Sequence, residues 1–204
     1  VTTTTNPDTA PNAAFVNNTA AVSDKRLDTP TTNVLTASAQ LTFRHAWSLE
    51  TNFDGGVLEI SINGGAFQDI LAAGGSFVAG AYNGTISTSF SSPIGGRAAW
   101  TNLSGGTTAT PTYVTTTVNF PAAAVGQPVV LRFRMGSDSS VNRTGWWIDG
   151  LSIVDGYLCC SGCTDTTLPV VTPPVDLAMM QSFCDITAPI PYPPAASSSS
   201  SAIL

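Results

Sequence analysis

Charged residues are scarce in this sequence. Only 10% of its 204 residues are charged, including one lysine (Lys25) and two glutamates (Glu50 and Glu59), and His45 is its only histidine. The net charge is −6 and the six arginines are scattered, which argues against a nucleic-acid partner, because such proteins need a basic patch or stripe. We therefore expect no nucleic-acid binding.

Long apolar runs are also missing. None approaches the length of about 20 residues that a membrane-spanning helix requires. The first residues, VTTTT, are polar and lack the basic start of a signal peptide, as in a mature, trimmed or cytosolic chain. We expect no membrane span.

The chemistry of an enzyme is hard to assemble from these residues. With one histidine, placed by the pattern on the apolar side of a strand, neither a Ser-His-Asp nor a Cys-His triad is credible. A retaining glycosidase needs two acids paired in a cleft, whereas most aspartates here sit in turn-like sequences. The glycine runs do not open helices, so they do not form a phosphate loop. The sequence predicts a protein that is not an enzyme.

Strand and turn formers dominate what is present. Ser and Thr make up 49 residues, with 18 Gly and 14 Pro. Apolar and polar residues alternate in LTFRHAWSLE (41–50), and Asn63-Gly64-Gly65 is an explicit hairpin turn after GVLEISI (56–62). Further strands are predicted in AFQDI, RAAW, YVTTTVNF, PVVLRFRMG and GWWIDGLSIV.

This pattern predicts an all-β fold, an antiparallel β-sandwich or jelly roll. We place the jelly-roll domain at residues 35–158. Residues 1–34 are expected to form an extended, irregular N-terminal arm. Residues 159–204 are expected to form an irregular tail rich in Cys, Pro and Ser, with apolar residues that suit it to lie along a surface.

The cysteines are confined to that tail. They are Cys159, Cys160, Cys163 and Cys184. Four cysteines allow three pairings, among which the sequence does not choose. Structural disulfides in an exported protein are the favoured interpretation, while the CxxC spacing of Cys160 and Cys163 leaves redox chemistry or a zinc knuckle as alternatives.

The closing strand, GWWIDGLSIV, poses a problem. Strict alternation puts Trp147, Asp149, Leu151 and Ile153 on one face, so an acid would lie in an apolar layer. A lone buried carboxylate costs several kcal/mol unless it is neutralised. Asp149 therefore requires either a cation or hydrogen-bond donors, such as backbone N–H groups, a Trp indole or Arg44.

Six segments, taken in their order along the chain, resemble a bacterial extracellular jelly-roll module. They are LTFRHAWSLE, DGGVLEISINGGAFQDI, GGSFVAGAYNGTI, GRAAW, VNFPAAAVGQPVVLRFRMGSDSS and GWWIDGLSI. That module is related at a distance to MAM domains and to the jelly-roll domain of immune-inhibitor-A-like secreted metallopeptidases. The resemblance covers residues 6–158. It implies a non-catalytic accessory module of a secreted or surface protein. The metallopeptidase HExxH motif is absent.

The resemblance also implies a structural calcium between the end of an early strand and the last strand. The residues that match by motif are Glu50 and Asp54 in LETNFDGG and Asp149 in WIDG, with Asp138 in GSDSS as a further candidate. Calcium takes six to eight oxygen ligands, which loops at strand ends supply. The alternative is that Asp149 is held by donors alone and that Asp54 is a turn residue. Glu59 is expected to face solvent.

Three functions remain open at this point. The first is an extracellular or cell-surface module for adhesion or recognition of a glycan or protein, in which an exposed tryptophan could stack on sugar. We expect two of the four tryptophans (Trp47, Trp100, Trp146 and Trp147) to be in the core and the others partly exposed. The second is a self-assembling subunit of an extracellular filament or sheath, using its terminal arms for contacts between copies. The third is an accessory domain of a larger enzyme.

Overall fold

A computed structural model describes residues 1–155 of the chain. These residues form thirteen β-strands and two short 3₁₀ turns, at Ser89–Ser91 and Ala122–Ala124. The strands are β1 (Thr2–Thr3), β2 (Ala13–Asn17), β3 (Ser23–Asp28), β4 (Thr32–Val34), β5 (Gln40–Ser48), β6 (Gly55–Ile62), β7 (Gln68–Asp69), β8 (Ser76–Ala79), β9 (Gly84–Thr85), β10 (Ala98–Ala99), β11 (Val114–Asn119), β12 (Gln127–Ser137) and β13 (Gly145–Val154).

The strands form two antiparallel sheets and a small β9–β10 ribbon. The first sheet has the order β1-β2-β13-β5-β11-β8, and the second has the order β3-β12-β6-β7, with β4 also paired to β12. The chain crosses several times from one sheet to the other, so that β2, β13, β5 and β11 of the first sheet lie opposite β3, β12, β6 and β7 of the second. This is the strand order of a jelly roll, and it confirms the predicted all-β fold.

The core lies between the inner faces of the two sheets. The alternation in β5 places Leu41, Phe43 and Trp47 inward, as the sequence predicts. Phe43 meets Phe133 of β12 edge-on, with ring centroids 5.1 Å apart, and Phe133 in turn contacts Trp146 of β13. Aromatic contacts across the sandwich therefore join the two sheets, beyond the apolar area they bury.

The second sheet is covered on its outer face as well. Val57 of β6 packs with Ile86, Ile94 and Ala99 in a separate apolar cluster. Further along β6, Glu59 is only 4% exposed, which corrects the expectation that it faces solvent. Its Oε1 accepts hydrogen bonds from Arg97 at 2.5 Å and Arg134 at 3.2 Å. The alternating pattern of β6 correctly places Glu59 on the outer face of the second sheet, but the segment that carries Arg97 covers that face.

The N-terminal residues do not form a separate irregular arm. Strand β2 pairs with β13, and strands β3 and β4 pair with β12. Residues 1–34 thus contribute strands to both sheets, and the expected boundary at residue 34 separates no structural units. Their polar sequence hides this role, because β3 is an edge strand whose Asp24 and Asp28 pair with arginines of β12.

The closing strand β13 is bulged. Its pairing with β5 shifts register between Asp149 and Ser152, and Gly150 has a φ of 54°. Side chains on either side of the bulge therefore do not share one face. Trp146 and Ile148 point into the core, whereas Trp147 and Asp149 lie on the outer face and Leu151 is exposed. The expected single face of Trp147, Asp149, Leu151 and Ile153 is thus wrong, because a bulge reverses the alternation.

The hairpin between β6 and β7 begins with the predicted turn. Asn63 and Gly64 both have positive φ, 50° and 72°, the conformation that a two-residue hairpin turn favours. Within residues 1–155, no helix is long and apolar enough to cross a membrane.

Candidate metal site

Three of the four candidate acids meet at one end of the sandwich. Glu50 and Asp54 lie in the loop between β5 and β6, and Asp138 directly follows β12. Because β6 and β12 are antiparallel neighbours with Gly55 opposite Gly136, the residue before β6 lies beside the residues that end β12. One carboxylate oxygen from each acid lies within 4.8 Å of the others.

Asp54 is the centre of this cluster. It is fully buried, and Asp138 is 1% exposed. The Oδ2 atom of Asp54 accepts a hydrogen bond from Asn18 Nδ2 at 2.6 Å, and its Oδ1 accepts one from the backbone N–H of Asp138 at 2.8 Å. Asp54 therefore ties the β5–β6 loop to the end of β12, and Asn18 ties in the segment after β2.

Two further polar residues support the loop. The hydroxyl of Thr101 lies 3.0 Å from Glu50 O and 2.8 Å from Asp54 O, and it accepts the N–H of Asn52 at 2.9 Å. The side-chain oxygen of Asn18 also accepts the N–H of Arg143. Sequence reasoning missed Asn18 and Thr101, because neither belongs to an acidic motif and both are distant in sequence from the acids they hold.

The cluster has more negative charge than its surroundings balance. Burial raises the pKa of the Glu50 carboxyl, and the charges of Asp138 and Asp54 act in the same direction, opposed by Arg143. Burial also raises the pKa of Asp54, although the hydrogen bond from Asn18 opposes the change. The Oε2 atom of Glu50 is buried, and no residue of the described part of the chain donates a hydrogen bond to it. An unsatisfied buried carboxylate oxygen is costly unless a cation or proton joins it.

A divalent cation fits this arrangement. Calcium–oxygen distances are about 2.3–2.6 Å, so two oxygens bound to one ion lie up to about 5 Å apart. The oxygens of Glu50, Asp54 and Asp138 meet this condition. Three carboxylates supply between three and six of the oxygens that calcium takes, and hard oxygen donors without histidine or cysteine suit calcium better than zinc.

Asp149 is not part of this cluster, contrary to the resemblance-based expectation. Its Oδ2 atom accepts the backbone N–H of Thr9 at 2.8 Å, and its Oδ1 accepts that of Gly150 at 2.7 Å. Backbone donors thus satisfy the carboxylate, on the outer face of the first sheet. That face is covered by the N-terminal loop, which Arg44 also holds through a salt bridge to Asp8 at 2.8 Å.

The only histidine is a core residue. His45 is fully buried; its Nε2 lies 2.8 Å from Thr116 Oγ1, and its Nδ1 accepts the indole N–H of Trp146 at 3.2 Å. Because Thr116 Oγ1 donates to Gly80 O, the His45 Nε2–H is the donor to Thr116. Burial lowers the pKa of His45 to about 3, so the ring is neutral at physiological pH.

The tryptophans do not form an exposed platform. All four are at most 5% exposed, which corrects the expectation that two of them would be partly exposed. Trp147 packs on Phe15 and donates its indole N–H to Thr5 O at 3.0 Å. Sugar stacking on a tryptophan therefore finds no support in these residues. The four cysteines lie outside the described residues, and their pairing stays a prediction.

The fold and the cluster define a jelly-roll β-sandwich with a candidate cation site at one end. Comparison of the chain with protein-family models gives no match, and comparison with curated proteins gives none either. The resemblance to extracellular jelly-roll modules thus depends on the sequence motifs and is not tested by these comparisons.

Proposed function

We propose that this chain is a non-catalytic, extracellular β-sandwich module that recognises a glycan or protein and is stabilised by a calcium ion. The observations that carry the proposal are the convergence of one carboxylate oxygen each from Glu50, Asp54 and Asp138, and the buried Glu50 Oε2, which accepts no hydrogen bond from residues 1–155. The ion would join the β5–β6 loop to the end of β12 and so hold the loops at this end. Extracellular modules bind calcium at about 10⁻⁴–10⁻³ M, a concentration available outside cells.

The calcium is tested by thermal unfolding with and without chelator. At a calcium concentration of about 100 times Kd, binding adds about 2.7 kcal/mol to stability. For a chain of this size that corresponds to a rise in Tm of roughly 5–10 °C. Glu50→Gln is the cleanest variant, because no hydrogen bond from the described residues reaches Glu50 Oε2. It should abolish most of the calcium-dependent shift.

Asp149→Asn provides the matched control. It removes the same charge from an acid that was also a candidate but lies on the outer face, away from the cluster. This variant should keep the full calcium-dependent shift. An equal loss of the shift in both variants, or no shift in the wild type, would refute the calcium site.

The recognition role is supported by an exposed aromatic residue beside the β5–β6 loop. Phe90 is 58% exposed, and its φ of 63° is a conformation that bulky residues rarely adopt. Its ring lies 5.7 Å from that of Phe53, the neighbour of Asp54. The two loops are joined by the hydrogen bond from Ser87 N to Asn52 O at 2.7 Å. A strained, exposed aromatic at the loop end is typical of a binding surface.

Recognition is tested on arrays of glycans and extracellular proteins with the calcium-loaded chain. Binding should be lost in Phe90→Ala and kept in Val78→Ala, a similarly exposed apolar residue on β8 at the edge of the first sheet. Light scattering on the same samples addresses the alternative function. Large polymers of the native chain, with no ligand on either array, would favour the filament subunit over the recognition module.

A further inference from the structure

The two sheets are open along the edge between β2 and β3. Leu27 pairs opposite Phe133, a core residue, so its side chain faces the interior of the sandwich. It is nevertheless 45% exposed. Within residues 1–155, an inward-facing leucine with that exposure indicates that neither sheet covers the interior at this point of the edge.

The opening is a groove of about 470 Å³, which is within the usual range of about 300–1,000 Å³ for small-molecule sites. Its sides include Ala14 and Val16 of β2 and Leu27 of β3. Its floor consists of core side chains: Phe133, Met135, Trp146 and Ile148. The groove therefore offers a largely apolar surface that reaches the core.

Lys25 lies among these apolar side chains, and the groove is also lined by Arg26 and by Val1, whose α-amino group donates to Phe15 O. Lys25 is opposite Met135, so it shares the inward face of β3 with Leu27. Its Nζ donates to Asn17 O at 2.6 Å and Asn17 Oδ1 at 2.9 Å, which spans the gap between the sheets. Both acceptors are neutral. Among residues 1–155, no carboxylate lies within salt-bridge distance of Lys25. The arginines of the same residues form seven ion pairs, one of which joins Arg26 to Asp24.

The absence of a counter-charge for Lys25 is unfavourable in this setting. Burial lowers the pKa of Lys25, which means that the ammonium has lost part of its hydration. A partly desolvated cation gains most from an anionic partner, and its third N–H is available for one. A groove with apolar walls and a lysine ammonium that no carboxylate of residues 1–155 balances is complementary to a molecule with an apolar chain and one negative end.

We propose that the groove between β2 and β3 binds a free long-chain carboxylate, with its acyl chain between the sheets and its carboxylate on Lys25. The chain would cover Leu27 and the floor around Met135, and the carboxylate would accept the remaining N–H of Lys25 Nζ. The inference goes beyond the proposed function and is independent of the metal site, since it shares no residue with the acidic cluster.

Lys25 has a competing explanation as a device that protects an exposed edge strand from pairing with other chains. The two explanations differ in what they require. Edge protection requires a charge but no ligand, and its loss should cause self-association. A carboxylate site requires binding that depends on both chain length and the charge of the ligand.

The test is isothermal titration calorimetry of the full chain with octanoate, decanoate and dodecanoate below their micellar concentrations. No calcium is added, because free calcium would precipitate the soaps and the groove shares no residue with the acidic cluster. Each methylene that enters the groove should raise the affinity roughly fourfold, as expected for full burial of a methylene. Dodecanol, with the same chain and no charge, serves as the comparison ligand.

Two variants locate the site. Lys25→Gln should weaken dodecanoate binding roughly tenfold, through loss of a charge-assisted hydrogen bond, and change dodecanol binding less than about twofold. Leu27→Trp should fill the groove and abolish binding of both. Val78→Trp, on the exposed face of an edge strand in the other sheet, should bind like the wild type. Urea unfolding checks that every variant is folded.

Several outcomes would overturn the proposal. The wild type could fail to bind dodecanoate, or its affinity could be independent of chain length. Lys25→Gln could lose dodecanoate and dodecanol binding equally, or folded Leu27→Trp could bind both ligands as well as the wild type does. Self-association of Lys25→Gln with unchanged ligand binding would assign Lys25 to edge protection instead.

Discussion

Between about pH 7 and about pH 5, acidification should destabilise this protein chiefly through His45. Its ring is fully buried and neutral, with Nε2–H donated to Thr116 and Nδ1 accepting from Trp146. Protonation would place a hydrogen on Nδ1, facing the indole N–H, and would put a charge in the aromatic core. Burial accordingly lowers the pKa of His45 to about 3, compared with about 6.5 in an unfolded chain.

The sign and size of the effect follow from proton linkage. Above about pH 6.5 neither state binds the proton, so stability is at its full value; below that, only the unfolded state binds it. Stability is therefore lost as the pH falls from about 6.5 towards about 3. Between about pH 7 and about pH 5 the loss is about 2 kcal/mol, and at lower pH it approaches about 1.4 kcal/mol per pH unit.

Urea unfolding in a fixed excess of calcium across this pH range measures the loss. Because His45 is the only histidine, a variant without it provides a clean control: His45→Gln should be less stable overall but nearly insensitive to pH between about 7 and 5. The histidine ring signals in the NMR spectrum should not titrate in the native protein over the same range. A free energy of unfolding that stays constant in the wild type, or falls equally in His45→Gln, would refute this account.

Three further substitutions probe the packing by urea unfolding or proteolysis. Glu59→Gln should cost roughly 2–4 kcal/mol, because its two partly buried arginine partners lose a shared counter-charge; a loss below about 0.5 kcal/mol would mean that their other acids suffice. Gly56→Ala should cost about 1–3 kcal/mol, because its new Cβ would lie 2.7 Å from the Trp146 ring; an unchanged midpoint would contradict this close packing. Arg44→Ala should release the loop held through Asp8, with at most about 1 kcal/mol lost but faster cleavage within residues 4–12; an unchanged cleavage rate would show that the loop is held by its other contacts.

The central strands could be predicted because their alternation is produced by a single buried face. β5 and β12 each place large apolar side chains on the core side and polar ones on the other, so pattern and burial agree. The pattern was less informative for β6, every residue of which is buried up to Ser61. There, the segment around Arg97 covers the outer face, a tertiary contact that no local pattern contains.

The N-terminal strands could not be predicted because their partners define them. β3 has the sequence SDKRLD, with a single strongly apolar residue. Its strand conformation is stabilised by hydrogen bonding to β12 and by salt bridges such as Arg132–Asp28 at 2.7 Å. Strand propensity is decided mainly by cross-strand neighbours of this kind. The one local signal was Leu27, which marks the inward face.

The bulge in β13 did leave a signal in the sequence. A glycine within an otherwise regular strand often marks a bulge, and Gly150 follows Asp149 directly. Strict alternation ignored that residue and so placed Asp149 in an apolar layer. The carboxylate instead caps the backbone of Gly150 and Thr9, so the acid that raised the question of a cation does not need one.

The meeting of the other three acids follows from topology rather than from any motif. In a jelly roll β6 and β12 are antiparallel neighbours, so the residue that enters β6 must lie beside the residue that leaves β12. Asp54 directly precedes β6 and Asp138 directly follows β12, and once Gly55 pairs with Gly136 their proximity is unavoidable. The sequence shows both acids but does not show the strand register that brings them together. Asn18 bridges Asp54 to the backbone of Arg143, and it could be identified only from the folded structure. Strand pairing forces two buried carboxylates together, and a third lies beside them in the β5–β6 loop. Their mutual repulsion and lost hydration carry an electrostatic cost that folding alone does not relieve. That cost is the physical reason to expect a cation at this end of the sandwich.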